Sequence, residues 1–228
     1  MRYVTMTALL AALACPAADR PAIAQTPPSA VELSAYRGLH AAAARDDAAA
    51  IGRLAASGAD LNARDAAGRT PLHVAAFSGR HAAMRALAAA GADPRALENR
   101  SYDILTIAAV NDDLATLRLG MELGADPRAV TSPYDGTALI AAAHLGHDGV
   151  VRALIAAGAP LDHVNNLGWT ALIEAVILGR GGPRHVATVK ALVEAGARRD
   201  LADGQGHTPL KLARDRGYRD MVELLEPR

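Results

Sequence analysis

The chain has 228 residues, with 24 basic and 24 acidic side chains and no formal net charge, which excludes the broad positive footprint of a nucleic-acid binder. Apolar residues make up 51% but aromatics only 3%, with one Phe and one Trp, so one thick core of large side chains is excluded. Much of the apolar content is alanine, the strongest helix former, which favours thin layers of closely packed helices. Basic residues are almost all arginine, Lys190 and Lys211 being the only lysines. That usage fits a GC-rich bacterial genome better than a phosphate-binding stripe.

In chain order, the first segment reads as an export leader over residues 1–24. Arg2 supplies the charge, residues 4–13 a short apolar run, and Ala22-Ile23-Ala24 the small-x-small pattern, with cleavage expected before Gln25. The apolar run is too short for a permanent membrane span. Cleavage would remove Cys15, the only cysteine, leaving no thiol or disulfide, as suits a periplasmic or secreted bacterial protein held by packing. A rival reading takes Leu13-Ala14-Cys15 as a lipobox with a lipid anchor on Cys15. Ala12, where such boxes usually carry Leu, weighs against it. Residues 25–34, with Pro27-Pro28 and small polar residues, are expected to form a flexible leader.

The rest of the chain repeats. Gly-Ala pairs recur at Gly58-Ala59, Gly91-Ala92, Gly124-Ala125, Gly158-Ala159 and Gly196-Ala197, at spacings of 33, 33, 34 and 38. Thr70, Asp103, Thr137, Thr170 and Thr208 keep a matching beat. Leu39-His40 precedes Leu72-His73 by 33 residues and marks a degenerate first unit. Six units follow, near 35–67, 68–100, 101–135, 136–167, 168–205 and 206–228. In each, a Thr or Asp oxygen can cap a first helix, and Pro71 and Pro209 stand at the first helical position, where a missing N–H costs nothing. A Gly such as Gly79 or Gly146 closes that helix. A second helix richer in Leu, Val and Ile then runs to the Gly-Ala pair.

Gly68-Arg69-Thr70-Pro71-Leu72-His73-Val74-Ala75-Ala76, together with Gly58-Ala59-Asp60-Leu61-Asn62, resembles the ankyrin repeat, and the resemblance covers about residues 36 to 228. It implies an all-α repeat solenoid: an ankyrin stack of about six helix-turn-helix units joined by β-hairpin-like loops. Three departures stand out. The third unit has Asp112-Asp113 for the usual Gly-His and Gly120 for a core Leu, which makes it the expected weak link. One extra residue lies in the hairpin of Ser132-Pro133-Tyr134. Five more lie within residues 180–185.

No catalytic grouping emerges, and no cofactor or metal is expected. His144 and His147 lack a third ligand at suitable spacing, and His147, His73 and His40 occupy structural positions of the repeat. Asp46-Asp47 and Asp112-Asp113 read as solvated turns rather than acid–base pairs. A metal-dependent or hydrolytic enzyme using the surface around His144 is the minor alternative, and an effector acting on a host protein another.

The resemblance implies a cupped hand, with hairpin tips as fingers and first helices as the palm. The slot before each cap holds Arg69, Tyr102, Trp169 and His207, with Arg100 and Tyr134 close by. These are expected as protein-binding fingertips, because Tyr, Trp and Arg dominate interface hot spots. The palm slots hold Phe77, Val110, His144, Leu145, Ile177 and Leu178, an apolar stripe of the kind that marks an interaction site. The chain is therefore expected to be a monomeric, non-catalytic protein-binding module.

Overall fold

The computed structural model describes residues 25–227; the expected leader over 1–24, with Cys15, lies outside them. The described residues form thirteen helices. After α1 (Ala30–Ala35) they come in six antiparallel pairs: α2 (Gly38–Ala44) with α3 (Ala48–Ala56), α4 (Pro71–Phe77) with α5 (His81–Ala90), and α6 (Ile104–Val110) with α7 (Leu114–Glu122). Then follow α8 (Ala138–Leu145) with α9 (Asp148–Ala156), α10 (Ala171–Ile177) with α11 (Pro183–Glu194), and α12 (Pro209–Asp215) with α13 (Arg219–Leu225). First helices pack on first helices of the adjoining units and second on second, α8 against α10 and α3 against α5 for example. The stack is all-helical, as the repeat implies.

Each first helix from the second unit onward starts as expected. The side chains of Thr70, Asp103, Thr137, Thr170 and Thr208 accept from the backbone N–H three residues on. In the degenerate first unit Arg37 stands at that place and gives no side-chain cap. The paired carboxylates divide two structural tasks. Asp46 and Asp112 take the left-handed turn (φ 57° and 56°) that Gly146 takes elsewhere (φ 69°), a conformation Asp tolerates better than most residues. Asp47 and Asp113 then cap α3 and α7, accepting from Ala50 N at 2.8 Å and Thr116 N at 2.9 Å.

The hairpins share a device that spacing alone did not single out. One acceptor side chain, five residues before the cap, receives two backbone N–H groups and folds the tip. Asp65 accepts from Ala67 and Arg69, Glu98 from Arg100 and Tyr102, Ser132 from Tyr134 and Gly136, Asn165 from Leu167 and Trp169, and Asp203 from Gln205 and His207. These are side-chain-templated turns.

Two expectations are corrected. Residues 25–34 are not a flexible leader: Ser29 and Glu32 form a reciprocal capping box that starts α1, a local arrangement that satisfies two free N–H groups at once. The segment is then tied down by Arg69, whose guanidinium pairs with Glu32 and donates to the Thr26 carbonyl. The third unit is also not simply underpacked. A Cβ on Gly120 would stand 2.8 Å from Leu105 Cδ2 and 3.4 Å from Ile104 Cδ1. Ile104 occupies a slot that holds Pro71, Ala138, Ala171 or Pro209 in the other units, so its extra bulk fills the space a leucine at 120 would take.

The insertion at 180–185 forms a clasp. Arg184 Nη2 donates to Asp112 Oδ2 at 2.6 Å, 72 residues back, and its Nε lies 3.9 Å from Asp148 Oδ1. The fifth unit thereby reaches the third across the fourth, whereas repeat stacks ordinarily contact only neighbours. The His185 ring packs over Gly146 and Gly179 and bonds the His144 carbonyl at 3.0 Å. Tyr218 of the sixth unit covers Gly181 and donates to the Gly179 carbonyl at 2.9 Å.

Candidate interaction surface

The eight histidines show which polar groups belong to the frame. Five reach a backbone carbonyl of another unit or finger: His40 that of Arg69 (2.9 Å), His73 that of Tyr102 (3.2 Å), His147 that of Ala109 (2.8 Å), His163 that of Asp135 (2.6 Å) and His185 that of His144. His81 meets Thr116 Oγ1 at 2.8 Å. These rings act as rivets between layers. Burial pushes His73 down to about 4, against the hydrogen bond to Tyr102, so the ring is neutral: Nδ1 accepts from Thr70 and Nε2 donates onward.

His144 and His207 have carboxylates as their nearest recorded ring partners. His144 Nδ1 stands 3.1 Å from Glu174 Oε2, close enough for charge pairing although not aligned as a hydrogen bond. Glu174 is buried, and its other oxygen accepts from Asn165 Nδ2 at 3.0 Å. His207 Nδ1 lies 3.6 Å from Asp203. Among the described residues no three His, Cys, Asp or Glu side chains converge as a metal site would require.

The twelve residues expected to bind a partner fall into three groups. Arg69 and Tyr102 are not fingertips. Arg69 is 2% exposed, its Nε donating to Asp65 at 2.7 Å while Nη2 pairs with Glu32. Tyr36 adds a donor to the same Asp65 carboxylate at 2.6 Å. Burial alone would raise Asp65, but the hydrogen bonds from Tyr36 and Arg69 outweigh it and hold the carboxyl below its usual range. The reason for the correction is the folded segment 25–36, which covers Arg69. Tyr102 is 8% exposed, and burial pushes its phenol up against the pull of Arg100. Successive tips are bonded closely together, Asn99 N to the Ala67 carbonyl and Asn166 N to the Tyr134 carbonyl at 3.0 Å each. A large ring in this slot gains more by burial than by display.

A second group is half-buried: Phe77, Arg100, Val110, His144, Trp169, Ile177 and His207, with Phe77, Trp169 and Ile177 packed on the core. The third group is open. Tyr134 is 40% exposed, and Leu145 and Leu178 are 37% exposed. Sequence reasoning missed Val130, Val164 and Leu167, all of them more exposed than Tyr134. Their signal was available, since Leu167 follows Tyr134 by one 33-residue beat and occupies the same tip slot.

The frame has known relatives. The family model "Ankyrin repeats (3 copies)" matches residues 39–130 and 105–198. A stretch of 93 residues is 40% identical to the ankyrin repeat protein YahD of Escherichia coli (strain K12), covering 40% of this chain and 46% of that protein. This match therefore spans about half the length of that relative. Among solved structures, an ankyrin repeat domain from Acinetobacter baumannii AYE superposes with a TM-score of 0.77 at 45% identity, over 82% of this chain and 95% of that one. The ankyrin repeat protein EF0377 gives a TM-score of 0.76 at 29% identity, over 83% and 98%. With the capped helix pairs, the templated hairpins and this coverage together, the chain belongs to the ankyrin-repeat family and is a protein–protein interaction module.

Proposed function

We propose that the chain is an exported, non-catalytic module that grips a partner protein with the fingers and palm that run from the hairpin of its third unit to its fifth unit. One observation carries this reading. Among the described residues, six of the eight exposed large apolar side chains lie there: Val130, Tyr134, Leu145, Val164, Leu167 and Leu178. The corresponding palm slots of the second and third units hold Ser78 and Asn111, so the repeat itself does not demand leucine. A clustered apolar patch in water is a standing cost, which association with a partner removes. The stack is preformed, so little ordering entropy opposes binding.

Site-specific photocrosslinking from Leu178, compared with the exposed second-helix residue Arg118, tests the face. Adducts with a discrete protein are expected from Leu178, and the double substitution Leu145→Ser/Leu178→Ser should abolish binding of that protein. Equal crosslinking from both positions would sink the reading. Export is tested separately by fractionation and intact mass: the expected product is periplasmic and begins at Gln25, and a cytoplasmic chain retaining residues 1–24 contradicts it.

A further inference from the structure

The slot four residues past the cap of a first helix holds Val74, Ile107, Ala141 and Leu212 in the second, third, fourth and sixth units. In the fifth it holds Glu174, which is 4% exposed. A carboxylate is costly to bury unless it is paired and fully hydrogen-bonded. Glu174 has no Lys or Arg partner among the described residues. Its Oε1 accepts from Asn165 Nδ2 at 3.0 Å, and its buried Oε2 has no hydrogen bond. Facing Oε2 is the His144 ring of the fourth unit, with Nδ1 at 3.1 Å. Asn165 is pinned in its turn: its Oδ1 accepts from Leu167 N and Trp169 N at 3.0 Å, so only its amide nitrogen is left to meet Glu174. These contacts fix where the ring proton sits. A bare Nδ1 would set a lone pair against the carboxylate, whereas Nδ1–H meets it, so the neutral ring carries its proton on Nδ1 and a lone pair on Nε2. The His144 side chain is 30% exposed, and among the described residues Nε2 has no partner. Leu145 follows it in α8, and Ile177 and Leu178 stand one turn beyond Glu174.

We infer that Glu174 positions His144 as a hydrogen-bond acceptor in the apolar palm, and that Nε2 receives a lysine ammonium carried by an apolar segment of the partner. The inference rests on the protein-binding reading and names the chemistry of what is bound. Glu174 is covered, so it acts through His144, which touches the ligand. A partner carboxylate or phosphate would set acceptor against acceptor. A charged donor is favoured over a neutral hydroxyl, because the carboxylate behind the ring lacks a cation of its own and a charge-assisted bond is the stronger kind. Poorly solvated surroundings strengthen such a chain of polarised bonds.

Nitrogen-15 NMR of the His144 ring in the full chain, at mildly alkaline pH, reads the first half. The parent should carry its proton on Nδ1. In Glu174→Gln, Asn165 holds the new carbonyl oxygen, so the new amide nitrogen faces the ring and the proton should move to Nε2. Two dye-labelled peptide pools of about ten residues read the second half by fluorescence anisotropy, one alternating apolar residues with Lys and the other with Glu at equal apolar content. The Lys pool should bind saturably and the Glu pool should not. Glu174→Gln should weaken the Lys pool roughly ten-fold or more, and so should His144→Phe, which leaves the carboxylate in place; both are checked for folding by circular dichroism. A parent ring protonated on Nε2, the same tautomer in parent and Glu174→Gln, equal or tighter binding of the Glu pool, no binding of either, or a Lys-pool affinity indifferent to both substitutions would each overturn the inference. The Leu178 crosslink separates this from the parent reading. An adduct that depends on Leu145 and Leu178 but survives Glu174→Gln and His144→Phe sinks the lysine inference alone; absence of any face-specific adduct sinks both.

Discussion

Units one to three and units four to six share one frame but use the positions it leaves free in different ways. The N-terminal half turns them inward as far as Asn111, although Val130 and Tyr134 in its last hairpin already face out. Arg69, Tyr102 and His73, each in a slot where a ligand-facing residue could stand, are buried at 2%, 8% and 0% exposure, and the palm beyond them ends in Ser78 and Asn111. The C-terminal half turns them outward, with Leu167 at the tip and Leu145 and Leu178 on the palm, and it recovers cohesion through the clasp at Arg184 and His185. The difference teaches that a repeat assigns a position but not an exposure. Whether a slot is surface depends on what folds across it, α1 over the first finger in one case and open solvent in the other.

The largest expected effect breaks the N-terminal side of this comparison. Arg69→Ala leaves Asp65, whose side chain is 10% exposed, without its cation and releases Glu32 and the Thr26 carbonyl. Removing one member of a buried ionic cluster costs about 3–5 kcal/mol, and the upper part of that range applies only if α1 detaches as well. Urea unfolding should show a lowered midpoint, and hydrogen exchange should show lost protection in residues 30–36. Protection kept in α1 would mean that the apolar contacts of Tyr36, not the arginine, hold the segment.

His73 gives the next effect, and its sign is fixed by the direction of the shift. Burial depresses the ring from 6.5 to about 4, so the unfolded chain binds the extra proton first as pH falls. Stability contributed by the neutral ring is fully present above about pH 6.5, declines as pH drops, and is lost by about pH 4. On the order of 3 kcal/mol is at stake. Asp103, raised by its own burial, works in the opposite direction in acid, so the clean measurement is the difference in unfolding free energy between the parent and His73→Gln across pH 4–7. A flat difference would show that the ring is protonated in place.

These two cases also mark how far the sequence could be read. The beat, the caps and the six helix pairs were legible because each is local: Thr70 caps α4 through atoms three residues away, and the period needs no knowledge of neighbours. The fate of Arg69 was not, since its partner Glu32 lies 37 residues earlier in a segment whose prolines suggested a mobile leader. The Ser-x-x-Glu of Ser29 and Glu32 was the missed local sign of a helix start. Ile104 and Gly120 were each visible, but their exchange of volume is a three-dimensional fact. In the candidate site, Leu145 and Leu178 followed from periodicity, whereas the burial of Tyr102 depends on the close approach of successive tips, which no spacing encodes.

The exchange of volume between Ile104 and Gly120 sharpens the comparison at its midpoint. Gly120→Leu alone forces methyl groups into the space held by Leu105 and Ile104, and overpacking of this kind costs about 1–3 kcal/mol. Combining it with Ile104→Ala, the residue of the fourth and fifth units at that slot, should recover most of the loss. A double-mutant cycle reads the coupling directly. Simple additivity would return the third unit to the status of a weak link with no compensation.

The smallest expected effect concerns the clasp. Arg184 is 54% exposed and Asp112 38%, so the pair itself contributes no more than about 1 kcal/mol to stability. Its consequence should lie in cooperativity instead, because it is a contact that skips a layer. In a nearest-neighbour stack the end units can fray independently; with Arg184 tied to Asp112, the fifth unit opens only by releasing the third. Arg184→Ala should therefore leave the urea midpoint nearly unchanged while broadening the transition and letting hydrogen exchange in α10 and α11 rise ahead of α6. Deleting the insertion does not make the same test, since it also removes His185 from Gly146 and uncovers the surface beneath Tyr218. An unchanged transition width in Arg184→Ala would mean that the packing of His185 and Tyr218 alone binds the C-terminal units together, and that the two halves of the stack differ in surface but not in cooperativity.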